Sequence, residues 1–235
     1  YLASSDARSA TGHDRRAAIR SLGAAVRAHP ASWELALRLL LAAQARAAWA
    51  MGRGLEPLLA FSEGRTFRTA VRITRRAAPR AEEQLGMLAH CHGCGDQQVQ
   101  PLLGLRRWRP CCADFMQAAP LSVSGPLWIG VLQDSSWLEA IAADPPMAHQ
   151  ADPATQHLLD RLRQDPGGLA RCWPMAEISR RLGGGGMPRL PILVSALRQQ
   201  GWAAWSSGVM PGCLRSDAPW PLLLEQAALL CAKGH

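Results

Sequence analysis

The chain has 235 residues, of which 48% are hydrophobic, and its 26 Lys and Arg against 18 Asp and Glu give a formal net charge of +8. This apolar content is enough for packed cores. The sequence contains no uninterrupted apolar run of about 18 residues, the length that a membrane-spanning helix requires. A positive balance attracts polyanions, so it favours RNA, DNA or an anionic membrane surface as partner.

Arginine supplies almost all of the positive charge, because Lys233 is the single lysine. A guanidinium can bind phosphate through two parallel hydrogen bonds and can stack on bases, although high-GC codon usage would produce the same bias. The seven cysteines are an odd number and no signal peptide opens the chain. We therefore predict a reducing, cytoplasmic location and no disulfide framework.

The first half of the chain has the pattern of an α/β protein. Residues 1–6 predict a short strand that ends in a polar corner, and because this is typical of a domain interior we expect the chain to be a fragment. Ser32 is the predicted N-cap of a long Leu/Ala-rich helix that ends near Gly52. The sequence then predicts strands at 58–61 and 66–73 and a basic turn at 75–80.

The second half predicts a separate domain after a connector at 143–153. Its predicted elements are helices at 155–164, 174–182 and 190–200, a strand at 202–205 and a last helix that is capped by Asp217 and runs to about Ala232. Helix, turn, helix and strand is a winged-helix-like order, and such modules either dock on nucleic acid or serve as packing domains. The helix at 190–200 has only Arg189 and Arg198 as cations, which is few for base recognition.

Residues 90–120 have little hydrophobic periodicity and are interrupted by Gly, Pro, Cys and Trp residues. Cys91 and Cys94 have the spacing of a zinc knuckle, and Cys111 and Cys112 follow as an adjacent pair. Thiolate coordination of Zn²⁺ would order such a segment, so we predict a zinc site made of these four cysteines. His90 or His92 could replace one of the adjacent pair, and a thiol cluster without metal is the alternative.

The segment Arg106-Arg107-Trp108-Arg109 lies between the two cysteine pairs. It predicts a surface that contacts RNA phosphates through arginine and offers one ring for stacking. An ordinary solvated basic loop explains the same residues, and the sequence leaves both interpretations open.

Three blocks occur in an order that is typical of a known family. The segment from Ser124 to Asp134 reads Ser-Gly-Pro-Leu-Trp-Ile-Gly-Val-Leu-Gln-Asp. One block, made of residues 33–41 and 54–59, lies before it, and another, at 214–220, lies after it. Together they resemble the tRNA guanosine-26 N2-dimethyltransferases, whose signature is Gly-Pro-Leu-Trp-Leu-Gly-Pro-Leu-(His)-Asp. The resemblance extends over nearly the whole chain.

The resemblance implies an α/β plus α+β fold in three parts. Residues 1–80 would form the end of a Rossmann-like methyltransferase sheet, residues 81–150 a zinc-bearing, zinc-ribbon-like insertion with the Gly-Pro-Leu-Trp segment, and residues 151–235 a C-terminal domain with winged-helix character. The implied activity is methylation of the exocyclic N2 of a tRNA guanosine, with S-adenosyl-L-methionine as cofactor. The implied partner is tRNA, with neither a membrane nor an obligate protein partner.

The resemblance also implies a set of substrate-binding residues. Asp6 falls on the aspartate of a family strand that ends Thr-Ala-Thr-Asp, and it either faces the target pocket or caps the strand end. Arg38 forms an i, i+4 pair with Glu34 that is either structural or positions the RNA. Arg215 corresponds to a family lysine, and Ser207-Gly208 replaces a family Thr-His. Arg106 and Arg107 complete the set.

The Asp-Pro-Phe/Tyr-Gly motif that holds the exocyclic amine in N-methylating enzymes does not occur here. We therefore expect the catalytic residues upstream of Tyr1, and we expect these 235 residues alone to be inactive. The second hypothesis is a non-catalytic nucleic-acid-binding protein that contains a zinc site and a winged helix.

Overall fold

The computed structural model of the protein describes residues 1–110, 120–165, 167–183 and 186–232. Its strands are β1 Leu2–Ser4, β2 Gly54–Glu63, β3 Thr66–Thr74, β4 Leu85–Cys91, β5 Gln97–Pro101, β6 Leu121–Trp128, β7 Cys172–Pro174, β8 Ala204–Ser206 and β9 Cys213–Ser216. Its helices are α1 Ala7–Ala10, α2 Arg15–Leu22, α3 Ser32–Ala50, α4 Ser135–Ala143, α5 Pro145–Gln150, α6 Pro153–Gln164, α7 Met175–Arg181, α8 Leu190–Gln199 and α9 Trp220–Ala232. Within these residues the strands form three antiparallel sheets, in the orders β1-β3-β2, β5-β4-β6 and β7-β9-β8.

Helix α3 is the centre of the larger core, where it packs against β2, β3 and β6. Its Leu/Ala-rich sequence is apolar on almost every side, which requires neighbours all around the helix. Each leucine that is fully buried there stabilises the fold by about 1.5–3 kcal/mol relative to an exposed one. The predicted cap is wrong by one residue, because Ala31 is the N-cap, without a side-chain hydrogen bond, and Ser32 is the first helical residue.

The first sheet contains a strand–helix–strand crossover. β1 and β2 both pair antiparallel with β3, so they run in the same direction, and α3 lies in the connection between them. β2 is longer than the predicted strand at 58–61 because Leu55 and Glu56 also pair with β3. The register shifts between Pro57 and Leu59, which accommodates a proline that cannot donate a hydrogen bond.

The segment from Ser124 to Asp134 ties the second sheet to the first core. Ser124 Oγ accepts a hydrogen bond from Arg27 N at 2.9 Å. Gln133 uses both ends of its amide on the backbone of Ala60, at 3.1 and 2.9 Å. Asp134 caps α4 by accepting from Trp137 N at 3.1 Å. In this chain the segment therefore connects the second sheet to the first core and begins α4.

The C-terminal part has its own core, built on the order β7, α7, α8, β8, β9 and α9. Trp173 and Trp220 stack in it with ring centroids 5.3 Å apart and an interplanar angle of 14°. The predicted helices at 174–182 and 190–200 and the strand near 202–205 are confirmed. The strands β7 and β9 were not predicted. The side chain of Asp217 accepts from Ala203 N at 2.8 Å, so it fixes the end of β8 rather than serving α9 as predicted.

The three-part division at residues 80 and 150 stays a prediction. The predicted connector contains the short helix α5, and Leu159 and Leu162 of α6 belong to the first core. The second core begins at Trp173. No helix in the described ranges combines the length and apolar character needed to cross a lipid bilayer.

Candidate functional site

Four charged side chains meet in the interior between the two cores. They are Glu34 and Arg38 of α3, Asp165 after α6, and Arg215 of β9, and none is more than 2% exposed. We call them the charge quartet. Two guanidinium groups and two carboxylates make it neutral as a whole, which is the condition under which buried charges are tolerated.

Arg215 is the central member of the charge quartet. Its Nη2 donates to Glu34 Oε2 and to Asp165 Oδ2, both at 2.8 Å, and its Nη1 donates to Glu34 Oε1. Burial alone would lower the pKa of Arg215, but the charges of Glu34 and Asp165 raise it well above its ordinary value. Burial alone would raise the pKa of Glu34, but Arg215 and Arg38 hold it below its ordinary value.

Arg38 uses every N–H group of its guanidinium on a protein acceptor. Nε donates to Glu34 Oε1 at 2.7 Å. Nη1 donates to the carbonyls of Trp128 and Gly130, and Nη2 to those of Gly167 and Leu169, at 2.7–3.0 Å. Five donors and five acceptors leave nothing for a ligand, so Arg38 links the end of β6 to the chain after α6.

Gly208 lies between Asp165 of the charge quartet and the backbone of α6. Gly208 N donates to Asp165 Oδ2 at 2.8 Å, and a Cβ at this residue would lie 2.5 Å from the carbonyl oxygen of Arg161. Ser207 Oγ accepts from Arg215 at 3.2 Å. The Ser-Gly pair is therefore fitted to the close approach of α6 and the quartet.

The structure places two of the predicted substrate-binding residues in the interior. Arg38 and Arg215 are both 0% exposed, and a role of either in RNA binding stays a prediction. The i, i+4 spacing of Glu34 and Arg38 did indicate their ion pair. Asp165 was missed, because an aspartate before a proline at a helix end looks like an ordinary turn.

Asp6 lies at the end of β1, where it caps α1. Its Oδ1 accepts from Ser9 N at 3.1 Å, and the hydrogen bonds from Ser9 lower the pKa of Asp6. The side chain also borders a cavity of about 250 Å³ that is lined by Leu22 and Leu40 as well. The structure shows the capping role, and contact with a target base stays a prediction.

Cys91 and Cys94 lie in a tight turn between β4 and β5. Cys91 N donates to the carbonyl of Asp96 at 3.0 Å, and Gly95 N donates to that of Cys91 at 2.8 Å. Backbone N–H groups also approach both sulfurs at 3.5 Å, from Cys94 to Cys91 Sγ and from Asp96 to Cys94 Sγ.

The structure describes only two of the four cysteines of the predicted zinc site. Cys111 and Cys112 lie outside the described residues. Among the residues that are described, no group of three or more His, Cys, Asp or Glu side chains is arranged to hold a metal ion. His90, one of the substitute ligands, is buried with a 1% exposed side chain, and its ring lies edge-on to those of His29 and His92.

The basic segment at 106–109 is attached to β5 by two glutamines. Gln100 Oε1 accepts from Arg106 N at 2.6 Å. Gln98 accepts from Arg109 N at 3.1 Å and donates to its carbonyl at 2.8 Å. The side chains of Arg106, Arg107 and Arg109 are exposed and make no ion pair with any residue the structure describes. The loop thus presents three cations on a backbone that is held in place.

The fold is that of a solved methyltransferase structure. Trm1 from Pyrococcus horikoshii, in complex with S-adenosyl-L-methionine, matches with a TM-score of 0.77 and 22% sequence identity, over 96% of this chain and 57% of that chain. The mixed α/β class predicted from the sequence is confirmed by this likeness.

A family model described as N2,N2-dimethylguanosine tRNA methyltransferase matches residues 1–228. The chain belongs to this family. The tRNA (guanine(26)-N(2))-dimethyltransferase of Aeropyrum pernix is 29% identical over 95% of this chain and 55% of its own length, and that of Schizosaccharomyces pombe is 30% identical over 82% and 38%. The enzyme of the same name from Methanosphaerula palustris is 28% identical over 79% and 49%. The chain thus spans about half the length of the curated relatives it matches. Because the family is one of methyltransferases, the hypothesis of a non-catalytic binding protein is not favoured.

Proposed function

We propose that the chain is part of an enzyme that transfers methyl groups from S-adenosyl-L-methionine to the exocyclic N2 of a guanosine in tRNA, of the position-26 type. Membership of the family over residues 1–228 supports the reaction class. The assignment of tRNA as the substrate rests on the ordered loop with Arg106, Arg107 and Arg109, because arginines without ion pairs on a fixed backbone are suited to bind a polyanion.

The first sheet supports a larger methyltransferase domain. β1 pairs with β3 on one edge, and in the described residues its other edge has no partner strand. A free edge accepts further strands, as the end of a Rossmann-like sheet requires. When bound, S-adenosyl-L-methionine supplies an electrophilic methyl group. No Gly-x-Gly turn joins a strand to a helix in the described residues, so we assign the donor's contacts to none of them.

We further propose that the C-terminal part is a winged-helix-like module. Its order β7, α7, α8, β8, β9 and its sheet order β7-β9-β8 support this. Arg198 of α8 donates to the carbonyl of Ala204 at 2.7 Å and lies over the ring of Trp205 at 5.7 Å. Since this cation is already engaged, we expect the module to position RNA through its edges rather than by inserting α8 into a groove.

A structural zinc ion bound by Cys91, Cys94, Cys111 and Cys112 is also part of the proposal. The N–H groups that approach the sulfurs of Cys91 and Cys94 are suited to thiolates, because they stabilise negative charge on sulfur. The ion would hold this turn against the C-terminal core, since Trp220 Nε1 and Arg181 Nε both donate to the carbonyl of Cys94, at 2.8 and 2.9 Å. Its contribution would be to folding and not to methyl transfer.

Binding of labelled tRNA over a range of salt concentrations tests the substrate assignment. A variant with Arg106, Arg107 and Arg109 changed to Ala should bind more weakly, and its log–log salt slope should be smaller by about 2 units. The matched control changes Arg53, Arg75 and Arg76, which are exposed arginines elsewhere on the surface, to Ala. Wild-type affinity and slope in the loop variant, or equal losses in both variants, would remove the loop from the RNA surface.

A further inference from the structure

A groove of about 730 Å³ separates the basic loop from the start of the C-terminal part. One wall consists of β5 and the loop with Arg106, Arg107 and Arg109. The opposite wall contains Arg171, which precedes β7, together with Asp217 and the residues that begin α9. The groove is therefore formed by two parts of the chain that are distant in sequence.

Arg171 lies in this wall beside the ring of a buried tryptophan. Its guanidinium carbon lies 5.5 Å from the ring centroid of Trp173, which is fully buried and stacked on Trp220. In the described residues it forms no ion pair. The face of the ring attracts the cation at this distance, so the contact favours one position of the guanidinium before a ligand arrives.

The charges around Arg171 favour an anion. Burial lowers the pKa of Arg171, the charges of Asp96 and Asp217 act to raise it, and Arg109 acts to lower it. The two carboxylates already have protein partners, because Asp217 accepts from Ala203 N and Asp96 from Gln98. Four arginines face two aspartates in the groove, which leaves an excess of two positive charges. A bound phosphate would relieve the repulsion between the two walls.

We propose that this groove binds the sugar–phosphate backbone of an RNA strand, with Arg171 holding one phosphate from the C-terminal wall while the loop arginines hold others from the opposite wall. The inference rests on the proposed function, since it assumes RNA as the substrate. It adds a second side to the RNA surface and assigns Arg171 to it. RNA in the groove would contact both parts of the chain at once.

The test compares tRNA binding by Arg171→Met with binding by the wild-type chain. Methionine retains an apolar stem on Trp173 and removes the charge, and Arg53→Met is the control on an exposed arginine outside the groove. We expect Arg171→Met to weaken binding about tenfold or more, as for loss of a charge-assisted hydrogen bond. The salt slope should fall by about 0.7–0.9. Arg171→Lys should restore the slope and only part of the affinity, because the forked geometry is lost.

The outcomes separate the inference from the proposed function. If the loop variant loses affinity while Arg171→Met binds as the wild type does, the groove proposal is overturned and the loop assignment stands. If the wild-type chain does not bind tRNA, both are overturned. If Arg171→Met loses binding to poly-glutamate but not to tRNA, the groove is a site for an acidic protein segment and the RNA assignment is wrong. A thermal melt of each variant checks that the fold is retained.

Discussion

Removal of one charge from the charge quartet should destabilise the protein strongly. Glu34→Gln keeps the shape of the side chain and leaves Arg38 and Arg215 buried with Asp165 as the only remaining carboxylate of the quartet. Glu34 accepts from both guanidinium groups, and its side chain is 2% exposed. Breaking a buried ion pair from one side costs about 3–5 kcal/mol, because the partner charge stays buried without compensation.

The expected loss is large enough to measure by thermal unfolding. For a chain of this size each kcal/mol lowers Tm by about 2–4 °C, so Glu34→Gln should lower Tm by about 6–20 °C. Glu139→Gln is the matched control, because Glu139 pairs with Arg163 at 2.6 Å with 59% of its side chain exposed. Such a surface pair contributes about 1 kcal/mol or less. Equal shifts in the two variants would refute the view that the quartet holds the two cores together.

Two further predictions concern acid and metal. The pKa of Glu34 lies below its ordinary value of 4.5, so the stability it contributes is present above that pH and is lost as pH falls through the folded pKa. Urea unfolding at a series of pH values should show this loss in the wild type and a smaller one in Glu34→Gln, and parallel curves would contradict it. Purified protein should contain about one zinc per chain, and Cys91→Ser should lose the metal and lower Tm, whereas Cys231→Ser in α9 should not. Metal-free wild-type protein would argue against the zinc site.

The sequence predicted local elements well where one strong pattern determined them. Helix α3 follows from its Leu/Ala-rich stretch, and α7 and α8 follow from their spacing around a glycine-rich turn. β7 and β9 are only three and four residues long, and they owe their pairing to the tryptophan core that forms behind them. Strands this short carry too few residues for an alternating pattern to appear.

The site was harder to predict because burial is a tertiary property. The sequence indicated that Glu34 and Arg38 pair, but nothing local to Arg215 indicated that it would meet them 181 residues away from Glu34. An arginine near the end of a basic chain looks like a surface cation, and the resemblance to a family lysine assigns Arg215 to substrate binding. Arg171 was not singled out for the opposite reason, because its position in a groove depends on two walls that no short stretch of sequence contains.

Several residues of the family signature make contacts that hold the fold together. Ser124, Gln133 and Asp134 are engaged with the backbone of Arg27, Ala60 and Trp137, and the carbonyls of Trp128 and Gly130 receive Arg38. Part of what makes this segment typical of the family is therefore its role in the architecture.

The bonds made by Arg38 and Arg215 have a consequence for how this chain can be recombined. The acceptors of Arg38 include carbonyls at 128, 130, 167 and 169, and Arg215 reaches back to Glu34. A chimaera that takes its C-terminal part from another protein would keep Glu34 and Arg38 but lose the loop and the arginine that match them. The two parts have separate cores, yet neither can be replaced by the corresponding part of another protein unless the contacts of the charge quartet are kept. A fusion joined at the predicted connector, residues 143–153, would therefore remove buried hydrogen bonds and ion pairs that lie far from the joint.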